Sequence, residues 1–559
     1  MVHGAEGRLL AETRLIAARN LGGIPMRCAV FVLCLVAGTP AFAQHMDAGH
    51  DTPDMPGMQH HLGTVAFANS CSPAAQPDLL RGVAMLHSFW YSAGEQAFRD
   101  ALLKDPRCAI ADWGIAALMM NNPLAGIGAT PSAATKAQAA LDQAHSIEAP
   151  TQRERDYVDA VGSYYKDFAI HTERERQIAR GAAYEALAAK YPDDDEAQIF
   201  GALYIAATQA QSDQTYSAYA RAVAILEPMF RKYPDHPGVA HYLIHAYDAP
   251  PLAAKGLEAA RAYSKIAPDA PHAQHMPSHI FTRVGAWEDS VTSNVRAIAA
   301  ALPGHEFGEA QHASDYLVYA ELQLSRDAAA KAAIDRAMAI EMPAPLAPVS
   351  FYARSAMPAR YAVERGDWNA AATLPVLADG PPYTEALRRF ARAIGAARTG
   401  NADAAAVEAK RLGGLQEELT AAGNAYWAAE VGVERSAASA WAAFARGETV
   451  PALSAMQEAA DSEDRQEKHI MTPGRILPAR ELLADMLMEA GQPAAALAEY
   501  EKSFQRDPNR FRGLYGAGRA AEAAGDQTKA LDYANRLIKL TGTGDTIRPE
   551  MAWAEGVAQ

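Results

Sequence analysis

Residues 479–508 read ARELLADMLMEAGQPAAALAEYEKSFQRDP, and residues 511–540 read FRGLYGAGRAAEAAGDQTKALDYANRLIKL. Each block holds two runs of helix-forming residues with apolar positions at helical spacing, parted by a glycine. The two glycines, Gly491 and Gly525, lie 34 residues apart. Small residues and leucine precede the glycine at Ala484 and Leu487; Ala496, Tyr500 and the closing Pro508 follow it. A unit this short cannot bury an apolar face alone, so it must stack on copies of itself.

The pattern resembles the tetratricopeptide repeat (TPR), two antiparallel helices per 34 residues. Looser copies recur upstream: FRDALLKDP at 98–106, Gly285 with Trp287, Gly366 with Trp368, and turns at Gly400 and Gly447. The match runs from about residue 76 to the end. The resemblance implies an all-α fold, a right-handed superhelical solenoid of helical hairpins, with the first helix of each hairpin lining a concave groove. It also implies a protein or peptide partner in that groove.

Composition agrees. Half of the 559 residues are hydrophobic and 21% are charged, enough to build a core over most of the chain. Period-two runs of β-branched residues are nearly absent, which argues against all-β and nucleotide-binding α/β folds. A formal charge of −15 disfavours nucleic acid as a partner.

The front end reads as an address. Met26–Gln44, MRCAVFVLCLVAGTPAFAQ, has the form of a signal peptide cleaved after Ala43, with translation starting at Met26. No later stretch is apolar enough for long enough to span a bilayer. The expected location is therefore periplasmic or secreted. Processing would leave Cys71 and Cys108, a pair that reads as one disulfide, with two buried thiols as the alternative.

Behind the cleavage site, HMDAGHDTPDMPGMQHHLG packs His45, Met46, His50, Met55, Met58, His60 and His61 among Gly, Pro and Asp. Such a stretch cannot bury a core and is expected to be disordered. It resembles the Met/His-rich tails of exported bacterial copper-handling proteins, and thioether with imidazole suits copper. A solubilising linker is the plainer reading. The expected organisation is leader 1–43, His/Met-rich segment 44–63, N-terminal hairpins 64–192, a central array 193–375 and a C-terminal array 376–559.

The central array carries paired histidines. His241 and His245 in PGVAHYLIHAYDAPP are four apart, as are His275 and His279 in APHAQHMPSHIFTRVGAW, and the pairs are separated by 34. Counted along the repeat, both pairs fall at the fifth and ninth places, with Asp248 at the twelfth. In the next unit Asp315 falls at the fifth, His312 at the second and Tyr319 at the ninth; Arg360 and Glu364 follow in the unit after. The TPR resemblance implies that these places face the groove. Side chains four apart lie about 5–6 Å from each other on one helix face, and neighbouring helices lie about 8–10 Å apart. His241, His245, His275, His279, His312, Asp248 and Asp315 are thus candidate ligands for copper, with zinc or iron as alternatives by donor type. Tyr319, Arg360 and Glu364 are candidate groove-binding residues, Arg360 as an anion clamp. An exposed pair or a hydrogen-bonded rung is the competing reading.

Tyr242 stands where a zincin helix carries its glutamate, and no nucleophile elbow or phosphate-binding loop is present. The sequence leaves three functions open: a metal- or partner-binding solenoid, a metal-dependent oxidoreductase or hydrolase, and a plain interaction scaffold.

Overall fold

A computed structural model of the chain describes residues 60–343, 346–377 and 379–559. Within them all regular secondary structure is helical, from Gln76–His87 to Pro549–Ala558. The deciding stretch forms two hairpins, Ala479–Glu489 with Pro493–Ser503 and Phe511–Ala523 with Gln527–Leu540. Gly491 and Gly525 turn the chain with φ of 71° and 85°, a left-handed conformation that a side chain would strain. Pro493 then starts the second helix where a missing N–H costs nothing. The Tyr500 ring sits where a Cβ on Gly516 would lie, so one hairpin's aromatic fills the next hairpin's notch. Ser325, at the place glycine holds in other units, adopts φ 57°.

The disulfide joins Cys71 to Cys108 and clips the segment before Gln76–His87 to the start of helix Ala109–Met119. Ahead of it, Leu62 is buried and the Thr64 N–H donates to the Asp235 carbonyl at 2.9 Å. The disorder expected through residue 63 is thus corrected from residue 60 onward, where the chain is docked; residues 1–59 lie outside the described residues.

The described residues from 60 onward belong to one compact unit. One hydrophobic core extends from Leu62 to Phe281 and another from Tyr352 to Ala554. The array also meets itself: Trp287 Nε1 donates to the Asn509 carbonyl at 2.7 Å, and the Phe511 N–H to Gln323 Oε1 at 2.9 Å. No described helix is long and apolar enough to cross a membrane.

The inward face is not an open groove. Residues 465–478, between the helices Thr449–Asp464 and Ala479–Glu489, lie across the first helices of successive hairpins. Tyr316 Oη lies 3.1 and 3.0 Å from the Ile470 and Thr472 carbonyls, which share its one O–H. Arg360 Nη2 reaches the Gly474 carbonyl at 2.7 Å, and Arg283 Nη2 lies 3.3 Å from Glu467 Oε2. Every residue of the helix Pro237–Tyr247 is buried.

Candidate metal centre

Three short helices carry the paired histidines, and Phe307–Gln323 carries His312. Pro237 and Pro271, 34 residues apart, each open a helix whose first N–H needs no partner. His241 and His245 then fall one turn apart on Pro237–Tyr247. The second pair straddles a seam between Pro271–His275 and Pro277–Val284, where Met276 keeps helical angles (φ −53°, ψ −36°). Pro277 tightens the seam, so the His279 N–H reaches back only three residues, to the Met276 carbonyl at 3.1 Å. The pair still closes: Nε2 of His275 and of His279 are 3.1 Å apart, and so are those of His241 and His245.

The outer nitrogens determine what the inner ones can do. His275 Nδ1 donates to Asn294 Oδ1 at 2.7 Å, and that amide is oriented by its own N–H bond to the Ser290 carbonyl. His279 Nδ1 donates to Asp248 Oδ2 at 2.9 Å. His241 Nδ1 donates to the His87 carbonyl at 2.6 Å, and His272 Nδ1 to Glu309 Oε1 at 3.0 Å. A neutral imidazole has one proton, so each of these rings keeps its lone pair on Nε2. His272 Nε2 is buried with no protein partner. At His275 and His279 two lone pairs meet at 3.1 Å with no proton between them. Only an added proton or a cation relieves that contact.

Burial works against the proton. It lowers the pKa of His275 to about 3 and holds His241, His245 and His312 well below the usual imidazole value. His279 is lowered too, burial outweighing its Asp248 partner. Asp248 is itself buried, yet Lys468, Arg283 and His279 keep its carboxyl well below the usual range.

Six histidines fall into two trios, His241, His245, His272 and His275, His279, His312; within each, one ring nitrogen per residue lies within 4.8 Å of the others. Ligands held tetrahedrally at about 2.0–2.1 Å from an ion would be about 3.3 Å apart, so the pairs are at ligand spacing and the third ring must close in. The trios adjoin, with ring centroids of His245 and His279 6.0 Å apart, as are those of His272 and His275. Neutral imidazoles suit copper, zinc, iron or nickel.

His87, Glu196 and His236 form a third buried group. Here Glu196 accepts from His87 Nε2 at 2.9 Å and His236 Nε2 at 3.1 Å, while Tyr242 Oη bonds His87 Nδ1 and the Val239 N–H bonds His236 Nδ1. Every nitrogen is satisfied. This network steadies the His87 carbonyl behind His241 and needs no ion.

Several expectations change. Asp248 stands behind His279 as its acceptor instead of facing an ion. Asp315 is corrected outright: it pairs with Arg360 Nε at 2.9 Å, both buried, and joins neither trio. Arg360 is therefore no free anion clamp; it spends its remaining donors on the carbonyls of Gly474 and Arg475. Tyr319 is buried against Trp287 and accepts from Arg510, and Glu364 pairs with Arg510 at 2.9 Å, so neither is open to a groove ligand. Of the tail residues, His60 packs edge-on to Trp90 with centroids 5.3 Å apart, and the backbone of His61 donates to Asp269 at 2.7 Å. His45, Met46, His50, Met55 and Met58 lie outside the described residues. His272, Glu309 and Asn294 were missed. His272 had a signal, for it stands at the second place of its unit as His312 does in the next; Glu309 and Asn294 carried none.

The described helices form an all-α array of TPR-like hairpins around a buried cluster of histidines. No family model and no curated protein matches the chain. Among solved structures it is similar to Naa15/Naa10 bound to HypK-THB (13% identity, TM-score 0.18, 87% of this chain and 77% of that one). It is also similar to the APC/C hetero-tetramer Cut9-Hcn1 (9%, TM-score 0.28, 88% and 97%) and to the P58(IPK) TPR domain (14%, TM-score 0.20, 65% and 98%).

Proposed function

We propose that this chain is an exported metal-binding repeat protein whose two histidine trios each hold one transition-metal ion, copper foremost. The observation that carries the reading is the His275–His279 contact, two Nε2 lone pairs 3.1 Å apart with both Nδ1 protons committed elsewhere. Outer-shell acceptors behind ligating imidazoles are the usual companions of a metal site. The Cys71–Cys108 bond supports an oxidising compartment, and the His/Met-rich segment supports copper handling.

Metal analysis of the purified chain tests this. About two equivalents are expected, one lost in His275→Ala/His279→Ala and the other in His241→Ala/His245→Ala. Deleting residues 45–59 should lower copper capture and leave the buried ions. A folded chain that takes up no copper, zinc or iron ends the reading. A metal-dependent enzyme is the second reading, favoured by three protein ligands per ion, the count that leaves a coordination position open. The scaffold reading rests on the repeat fold alone, and a peptide on the inward face would have to displace residues 465–478.

A further inference from the structure

Beside the trios lies a cavity of about 270 Å³. His245, His272, His279 and His312 line it, and Phe89, Trp90, Ile127, Pro348, Val349 and Met471 are among its apolar residues. The volume is nearly twice the roughly 150 Å³ that accepts benzene in a dry apolar cavity. Predominantly apolar walls with few polar groups are the mark of a small-molecule site. Tyr91, Asn121, Asn122, Glu306 and Glu309 add polar groups to this lining, and two of them bear on a ligand. Tyr91 Oη is buried with no hydrogen-bond partner, and the Glu309 carboxylate has Oε1 on His272. An unpartnered buried hydroxyl costs about 1–3 kcal/mol unless something in the cavity meets it.

We propose that this cavity binds a single-ring aromatic molecule bearing a hydroxyl or amine, with its ring between the Phe89–Trp90 and Val349 sides and its polar group against Tyr91 and Glu309. Aromatic walls favour a ring by offset and edge contacts, and an O–H or N–H can serve both an idle phenol and a carboxylate. The arrangement sets the molecule beside His245, His279 and His312. This deepens the metal-centre reading and rests on it for the ion's position.

Phenol is the probe, with toluene as the arm lacking a donor. Gly308, in the first turn of Phe307–Gln323, lines the cavity, and a Cβ there would meet only Val349, at 3.7 Å. Val349→Trp, outside the trios, narrows the space from the far wall and carries the test; Gly308→Leu fills it as well but lies one turn before His312 on the same helix, so its metal content is read alongside. Saturation-transfer NMR should show saturable phenol binding to the full chain, weakened about tenfold or more by either variant, with metal content unchanged. Tyr91→Phe should weaken phenol and leave toluene as it was, and copper(II) loading should broaden the phenol ring protons. Absent phenol binding, or binding indifferent to both cavity-filling variants, overturns the proposal. Phenol bound in this way by a chain that takes up no metal upholds the cavity and sinks the metal-centre reading instead.

Discussion

Asp248 holds His279 and Arg283 with its two oxygens: Oδ2 accepts from His279 Nδ1 at 2.9 Å, and Oδ1 from Arg283 Nε at 2.8 Å. The carboxylate thus fixes which imidazole nitrogen is bare while its charge is balanced from the far side. Asp248→Asn keeps the shape but removes the charge, and its amide can turn an N–H toward His279. Metal affinity of the His275 trio should fall about 10–100-fold, the usual cost of losing an outer-shell partner. Competition against a chelator measures it; an affinity equal to wild type would put Asp248 outside the site's chemistry.

Arg360 and Asp315 are both buried, and Arg360 also bonds Thr472, Gly474 and Arg475. Arg360→Met leaves a buried carboxylate without its cation, so urea denaturation should show a loss of about 3–5 kcal/mol. Proteolysis within residues 465–478 should quicken as well. Adding Asp315→Asn should restore much of the stability, because the orphaned charge goes with it.

What could be read from sequence divides by range. Gly491, Tyr500 and Pro508 announce a hairpin because each acts within its own 34 residues or on the next copy. His241, His245, His275 and His279 were legible for the same reason, since a residue's place in the repeat determines its face. The partners were not. Asp315 and Arg360 do fall on the inward face, where they pair with each other, and Arg360's other donors go to Thr472, Gly474 and Arg475, a hundred or more positions away and outside the period. His272 was within reach of the same count, for it takes the second place in its unit as His312 does in the next, brought in by the helix start at Pro271.

The Cys71–Cys108 bond closes a loop of 37 residues in sequence separation around the first hairpin. A closure of that length restricts the unfolded chain by about 3–4 kcal/mol on the entropic account. The double Cys→Ser variant should lose a comparable amount, and hydrogen exchange should rise first in Gln76–His87 and Tyr91–Lys104. Metal content, read on the same sample, should stay near wild type, because neither cysteine adjoins a trio.

His469 gives a pH signature separable from the trios. Its Nε2 donates to the Ala125 carbonyl at 2.9 Å and its Nδ1 accepts from the Met471 N–H at 3.2 Å, so the neutral ring is fully satisfied. A second proton would face Met471's own N–H. Burial, opposed by the Ala125 bond, lowers its pKa to about 4 from 6.5. With the folded value depressed, the unfolded chain takes the proton first as pH falls, and stability is lost from about pH 6.5 downward, by about 2 kcal/mol at pH 5. Above about pH 7.5 this group contributes no slope. His469→Gln forfeits the packing on Trp427 at every pH but removes that term. The gap between wild type and variant in urea should therefore narrow by about 2 kcal/mol between pH 8 and pH 5. Parallel stability curves would mean that His469 takes up its proton in the folded chain at an ordinary pH, with Ala125 and Met471 giving way around it.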